Sequence, residues 1–440
     1  MLVSLTAALA AQPRVADAAG FALIEQSASG VGNAFAGAAA SAEDAGTIFF
    51  NPAGMTRLAG KQVLAGVSAV GPSINFTNQG STLAPPQPAT PLTGGNGGDA
   101  GNWSDVPNLY LSWQADDRLW VGLGVNAPFG LHTDYAAGWV GRYQALDSEL
   151  TTVNINPSIA YRVNDKVSLG VGLSAQKADV TLSKAIDVGT ICFNTPGLGQ
   201  ATCTGLGLTP QSVDGAQQLR ANGWGYGYNL GALFEIAPDM RVGVSYRSRI
   251  QYTLSGTSAF ANVPAPLNAS PQLQTSAATL ALTVPDSASV SVFQIYDEKW
   301  DMMADMTWTH WSVFNQLAVQ YANGAPASVT NEGWRDTWRF SLGLDYKLDA
   351  KWKIRSGLAW DQTPVPSPQL RTARIPDNAR TWLAVGASWS FTKGAALDVS
   401  YAHLFVANAS IDHSEPASGV LIGTYSSSAN IASLQLSYRF

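Results

Sequence analysis

The sequence predicts an all-β protein. It reads as a 14-stranded antiparallel transmembrane β-barrel over residues 61–440, an N-terminal hatch over residues 19–60 plugging the lumen, and a signal peptide over residues 1–18. Three observations carry this reading. Apolar and polar residues alternate with period two in run after run, the pattern of strands with two unlike faces. The connections between runs alternate between short and long, as in barrels with tight periplasmic turns and long outer loops. Finally, 46% of the chain is hydrophobic and 13% charged, yet no stretch reaches the ~18 consecutive apolar residues of a spanning helix. The apolar residues are therefore spread over strand faces.

The opening "MLVSLTAALAAQPRVADA" is apolar from Leu2 to Ala11 and ends on Ala16-Asp17-Ala18, the small-x-small pattern of a cleavage site. The mature chain is expected to begin near Ala19-Gly20-Phe21. Residues 19–60 are rich in Ala, Gly and Ser and show no strand alternation. Within them, Ile48-Phe49-Phe50 is too short for a membrane helix and is stopped by Asn51-Pro52-Ala53-Gly54. Such a segment makes no useful domain alone. A barrel of fourteen strands, however, encloses a lumen too wide for its own side chains to fill, and a segment of this size suits a plug. Phe35, Phe49 and Phe50 are expected to anchor it to the inner wall, and its Ala- and Gly-rich stretch to hold it by small contacts, so that it can shift.

Strands are expected near 62–76, 105–115, 118–130, 148–162, 166–182, 222–236, 240–254, 286–296, 300–314, 334–348, 350–361, 380–391, 395–407 and 430–440, an even number that brings both ends to the periplasmic side. In "WGYGYNLGALFEI", for example, Trp224, Tyr226, Tyr228, Leu230, Ala232, Phe234 and Ile236 share one face. Turn residues mark the short connections, as in Val163-Asn164-Asp165-Lys166 and Asp297-Glu298-Lys299, while the long ones run near 183–221, 255–286, 315–333 and 408–427. A soluble β-sandwich also alternates, but its connections need not sort by length. Trp120, Trp300, Trp352 and Trp389 sit beside short turns, where a periplasmic aromatic girdle or an ordinary core would take them. The last strand, "SLQLSYRF", ends on Phe440 and resembles the C-terminal signal read by the barrel assembly machinery.

A formal charge of −6 offers no basic patch for nucleic acid. The two cysteines, Cys192 and Cys203, share one Gly/Thr/Pro-rich loop of an exported chain, which favours a local disulfide over buried free thiols and supplies too few ligands for a metal. No cofactor is implied.

Five stretches in order, "AGFALIEQSASGVGNAFAG" (19–37), "AEDAGTIFFNPAGMT" (42–56), "VNAPFGL" (125–131), "NEGWRDTWRFSLGLDY" (331–346) and "DQTPVPSPQLRTARIPDNART" (361–381), resemble the FadL-type outer-membrane transporters of long-chain fatty acids and other hydrophobic compounds. The resemblance implies a bacterial outer-membrane location and a hatch-closed barrel. Ligand would be captured between outer loops, pass to a tighter inner pocket, and leave sideways into membrane lipid through a kink in the third strand. It places that kink in Asn126, Ala127, Pro128, Phe129 and Gly130, has the hatch residues Asn51, Pro52 and Ala53 meet it, and gives Phe21 contact with ligand. Pro128 agrees independently, because it lacks the N–H of a ladder bond. Relatives importing aromatic hydrocarbons share these motifs, so aromatic hydrocarbons or alkanes are the alternative cargo.

A fatty acid needs a cation for its carboxylate. Alternation places Arg247 and Arg249, Arg335 and Arg339, and Lys177 on inward faces, although luminal Arg also commonly pairs with acids such as Asp345 or Glu235. Two rival classes differ in kind. An outer-membrane lipase would need a Ser/His constellation, and His132, His310, His403 and His413 lie beside no nucleophile motif. An adhesive or structural barrel would need neither hatch nor interrupted strand. The expected protein is thus a monomer, not an enzyme, with a hydrophobic small molecule and outer-membrane lipid as its partners.

Overall fold

The computed structural model describes residues 20–83, 90–416 and 418–440; the expected signal peptide lies outside them. The chain forms one closed antiparallel barrel. Its wall runs through Lys61–Asn78, Ser104–Gln114, Leu119–Asn126 continued by Gly130–Asp134, Asp147–Arg162, Val167–Asp187, Asp214–Ala237, Met240–Arg247 continued by Ile250–Ala261, Ser276–Val284 continued by Ser287–Ile295, Trp300–Thr309, Thr337–Lys347, Trp352–Asp361, Arg380–Ser390, Ala395–Val406 and Gly419–Arg439. That is fourteen wall strands, each paired to its neighbours in sequence, and the first closes on the last from Gln62↔Arg439 to Asn78↔Gly423. Closure removes the unpaired edges that a membrane does not tolerate.

The two faces separate as alternation requires. Leu109, Leu111 and Trp113 of the second strand and Val153, Ile155 and Ile159 of the fourth are exposed outward, whereas Asn154, Asn156 and Ser158 between them are buried within. The short turns are fixed by their Asx residues. Asn164 Oδ1 accepts from the backbone N–H of Lys166 at 2.9 Å and Val167 at 3.0 Å, and Asp297 and Asp349 do the same for the strands after them. Trp300, Trp352 and Trp389 face outward beside these turns, the last two stacked at 5.8 Å. Trp120 does not join them. It falls on the inward parity of its strand, is 1% exposed, and donates to the Leu58 carbonyl at 2.7 Å.

The outer half departs from expectation in length. Val167–Asp187, Asp214–Ala237 and Gly419–Arg439 run well beyond the runs expected at 166–182, 222–236 and 430–440, and the loop expected at 255–286 contains the strand Ser276–Val284. In Ser276–Val284 the apolar side turns in, with Leu280, Leu282 and Val284 buried, while Ala277, Thr279, Ala281 and Thr283 face out, so the apolar outward face that marks the rest of the wall is missing.

Residues 20–60 lie against the inner face of the wall. Ala28 N–H donates to Gln435 at 2.9 Å, Ala39 N–H to Ser291 at 3.0 Å, and the Ala34 carbonyl accepts from Arg339 at 2.7 Å. The backbone comes so close that a Cβ on Gly357 would collide with Asn33, and one on Gly243 with Ala39. From Ser27 onward this segment is densely held, contrary to the expected small contacts. Val31, Ala34, Phe35, Ile48 and Met55 are fully buried. Glu43 pairs with Lys353 at 2.7 Å and Arg355 at 3.0 Å. Burial alone would raise the Glu43 carboxyl, but these two cations hold it well below the usual carboxylate range.

Candidate functional site

The third strand is interrupted over residues 127–129. Before the break it pairs with the second strand as far as Leu109↔Val125; after it, Gly130–Asp134 pairs with the fourth strand and no longer with the second, its far end meeting the loop before the second strand through the isolated bridge Gly101↔Thr133. Register runs from Asn126↔Asn154 to Gly130↔Thr151, so three residues (127–129) face two (152–153), a one-residue bulge at the proline. Ser104–Asn108 of the second strand still pair with the first strand but have no third-strand partner. The result is a gap in the wall.

The N-terminal residues cover this gap from inside. Leu23 N–H donates to the Pro128 carbonyl at 2.9 Å and Gly130 N–H to the Phe21 carbonyl at 3.0 Å, making Ala22 and Phe129 an isolated antiparallel bridge. The Gln26 side chain donates to the Ala127 carbonyl at 2.8 Å and accepts from its N–H at 3.3 Å. Phe21 is 3% exposed among Trp311 (ring centroids 4.8 Å apart), Phe314 (5.4 Å), Trp334 (5.7 Å) and Phe129 (6.1 Å). Trp311 and Phe314 reach inward because a 3₁₀ turn, Trp311–Val313, interrupts the chain after the ninth strand. The Gly20 N–H is held by Asp377 Oδ2 at 3.1 Å, which also accepts from Thr363 at 2.9 Å.

Two cavities flank this segment. An inner chamber of about 140 Å³ is lined by Phe49, Phe50, Trp311 and Trp382 together with Arg247, Arg339 and Arg380. A second cavity of about 370 Å³ lies on the other side, lined within by Phe21, Ile375 and Asp377 and without by Pro107, Thr151 and Val153, the last 52% exposed on the lipid face. It therefore crosses the wall at the gap. Ala22, Leu23 and Glu25 line both cavities and form the septum between them. Burial raises the Glu25 carboxyl above its usual range, against the pull of its backbone and Arg380.

The residues singled out from sequence distribute unevenly over this site. Phe21 and Phe129 meet directly, Pro128 takes the Leu23 bond, and Phe49 and Phe50 line the chamber. Asn51, Pro52 and Ala53 do not reach the kink. Asn51 donates to the carbonyls of Ala39 at 2.6 Å and Ala232 at 3.0 Å, and a Cβ on Gly170 or Gly231 would strike Ala53, Pro52 or Asn51, so this turn is seated on the fifth and sixth strands. The kink is met instead by residues 21–26.

Among the candidate cations, Arg247 donates to the Phe49 carbonyl at 2.6 Å, and Arg339 lies 3.5 Å from Asp361. Both line the chamber. Arg335 donates to the Thr363 carbonyl at 3.3 Å, outside the lining of either cavity. Lys177 and Arg249 point outward, not inward. Lys177 shares the parity of lipid-facing Leu169, Val171 and Leu173 and pairs with Asp179 at 3.0 Å. Arg249 follows a second bulge. Register passes from Asn229↔Arg247 to Asn222↔Ser255, so six residues (223–228) face seven (248–254) and the alternation flips. Ile250, Tyr252 and Leu254 then turn in, and Arg249 turns out to pair with Asp286 at 3.2 Å.

Glu25, Arg380, Trp311, Trp334 and Asp377 were not singled out from sequence. For Asp377 a signal existed in the "IPDNAR" stretch; for Glu25, between Ile24 and Gln26, only the pairing of the segment with the gap reveals it. In the loop before the sixth strand, Cys192 and Cys203 are joined, with Cα atoms 5.9 Å apart, in the short helices Val188–Asn194 and Gly199–Gly205. Mass mapping without reductant should find their peptides linked. Cys203→Ser should loosen this loop by about 2–3 kcal/mol in the chain-entropy picture and leave the wall folded; two free thiols in the exported protein would refute the pairing.

A family model described as outer membrane protein transport protein (OMPP1/FadL/TodX) matches residues 7–440. The chain is 31% identical over 404 residues to a long-chain fatty acid transport protein of Escherichia coli K12, covering 88% of each. To outer membrane protein P1 of Haemophilus influenzae it is 30% identical over 411 residues, covering 88% of this chain and 86% of the other. Among solved structures it is similar to a Pseudomonas aeruginosa FadL homologue (TM-score 0.86, 24% identity, 96% of this chain and 100% of that one) and to the Pseudomonas putida toluene transporter TodX (TM-score 0.70, 15% identity, 96% and 99%).

Proposed function

The chain belongs to the outer membrane protein transport family of OMPP1, FadL and TodX, and on that premise we propose that it takes up long-chain fatty acids or similar hydrophobic molecules into the bacterial outer membrane by lateral release. The observation that carries the reading is the septum, a seven-residue segment (20–26) standing between an inner chamber and a cavity that opens on the lipid face. Cargo captured by the outer loops enters the chamber and displaces the segment around Phe21, and the gap behind it opens. Each methylene kept out of water is worth ~0.8 kcal/mol, so a greasy path to the bilayer suits an acyl chain where a water-filled pore does not. Arg247, Arg339 and Arg380 give the chamber countercharges for a carboxylate. The aromatic box around Phe21 supports the second reading, uptake of monoaromatic hydrocarbons.

Among the described residues the histidines face Asp147 (His132, 3.6 Å), Asp286 (His310, 3.0 Å), Asn430 (His403, 2.9 Å) and the Gln369 carbonyl (His413, 2.7 Å), partners that include no serine or cysteine nucleophile, which favours a transporter over a hydrolase. The first strand pairs with the last from Gln62↔Arg439 to Asn78↔Gly423, so one copy suffices to close the wall, which supports a monomer, and the outward Leu434, Leu436 and Tyr438 of that last strand support delivery by the barrel assembly machinery. The test is uptake of labelled oleate, alkane and toluene by cells with and without the protein. Uptake of oleate above background is expected; equal rates for all three cargoes in both strains would remove the proposal.

A further inference from the structure

Charges along the path from chamber to lipid are unevenly placed, and uptake alone gives them no role. The chamber is balanced: Arg247, Arg339 and Arg380 face Glu25, Asp305 and Asp361. The cavity crossing the wall is not. Glu25 and Asp377 line its inner end and Asp105 and Glu149 its outer end, against Arg380, which is itself 3.6 Å from Asp361. His132 on the same rim stands 3.6 Å from Asp147, which is paired in register with Asp134. At the septum, Glu25 is 5% exposed and its Oε2 has no hydrogen-bond partner among the described residues. An anion moving outward leaves Arg247 and Arg339 behind, keeps only Arg380, and meets three further carboxyl groups, Asp377, Asp105 and Glu149, next to lipid where like charges are poorly screened.

We propose that this exit is a charge filter that passes cargo only in uncharged form. The inference rests on the uptake reading and adds the chemical state of what is released. A hydrocarbon passes unchanged. A fatty acid passes as the carboxylic acid: the chamber arginines hold its carboxylate in the charged form, and on leaving them it takes one proton from solvent hydronium, which becomes water, so no other reactant is needed. Asp105, Glu149 and Glu25 are the specificity-determining residues, because the first two oppose the anion at the mouth and Glu25 presents it an unpartnered carboxyl oxygen at the septum.

Oleate and oleyl alcohol share a chain length and differ in the head group, so they separate charge from greasiness. The measurement is the initial uptake rate of each labelled compound at neutral pH, in cells carrying the protein less that in cells without it. The oleate-to-alcohol ratio is expected to rise about tenfold in Asp105→Asn/Glu149→Gln, as removal of like charges in a poorly screened passage requires, and to rise also in Glu25→Gln. Heat-modifiable migration on a gel establishes that each variant is folded. A ratio that stays at the wild-type value in both folded variants overturns the charge filter. Failure of the wild type to take up either compound would overturn the uptake reading instead.

Discussion

Deleting Pro128 and replacing Asn126-Ala127 by Thr-Val should abolish uptake while leaving a folded barrel. The deletion removes the residue that makes three oppose two, so Ala127 and Phe129 fall opposite Val153 and Thr152 and both strands keep their parity. The third strand can then continue along Ser104–Asn108, which already pair with the first strand. Each ladder bond recovered contributes about 1 kcal/mol net, so the repaired wall should be more stable than the native one. The expected result is normal heat-modifiable migration with oleate entering at the rate of cells lacking the protein. Unchanged uptake through a repaired strand would mean that cargo leaves by another route.

The second large effect separates two parts of the N-terminal segment. Residues 27–60 are pinned by Glu43, by close backbone contact with Gly243 and Gly357, and by buried Phe35, Ile48 and Met55. Residues 20–26 are held by a few hydrogen bonds and one aromatic box, with cavities on both sides. Such an arrangement lets the tip have two states of similar free energy while the body stays in place. Removing 20–54 should therefore leave a barrel that folds, because the wall pairs without the segment, but leaks small polar solutes and no longer discriminates among hydrophobic cargoes. Removing 20–26 alone should open the exit and leave the polar barrier intact. Solute permeability and fatty acid uptake measured in the same two strains distinguish these outcomes. If the longer deletion neither leaks nor alters uptake, the segment is an ordered tail with no gating role.

Period-two alternation made the wall legible where one face meets lipid, since there the two environments differ most. It failed where that contrast ends. The strand Ser276–Val284, "SAATLALTV", alternates, but its apolar Leu280, Leu282 and Val284 are the buried side and its outward Ala277, Thr279, Ala281 and Thr283 make no greasy face. Alternation also cannot register a bulge: one extra residue between Arg247 and Ile250 reverses every later side chain, which is why Arg249 faces out. Lys177 misled for a different reason, because a charged residue on a strand is taken to face the lumen, whereas beyond the apolar band it can face outward beside Asp179. The break at Pro128 could be read from the residue itself, as proline cannot donate. Its partner could not, because the match between residues 21–26 and the freed strand edge is a contact across the fold.

The tip must leave the gap for cargo to pass, and a reversible covalent lock tests whether it does. Ala22 and Phe129 are bridge partners without hydrogen bonds between them, a relation that puts Cα atoms about 4.5 Å apart, within disulfide range. Ala22→Cys/Phe129→Cys in a Cys192→Ser/Cys203→Ser background can be oxidised and reduced in the same cells, with that background alone as control. The oxidised lock should take up oleate no faster than cells without the protein and reductant should restore uptake, while the background is indifferent to both. Equal uptake by the fully oxidised and reduced forms would contradict it.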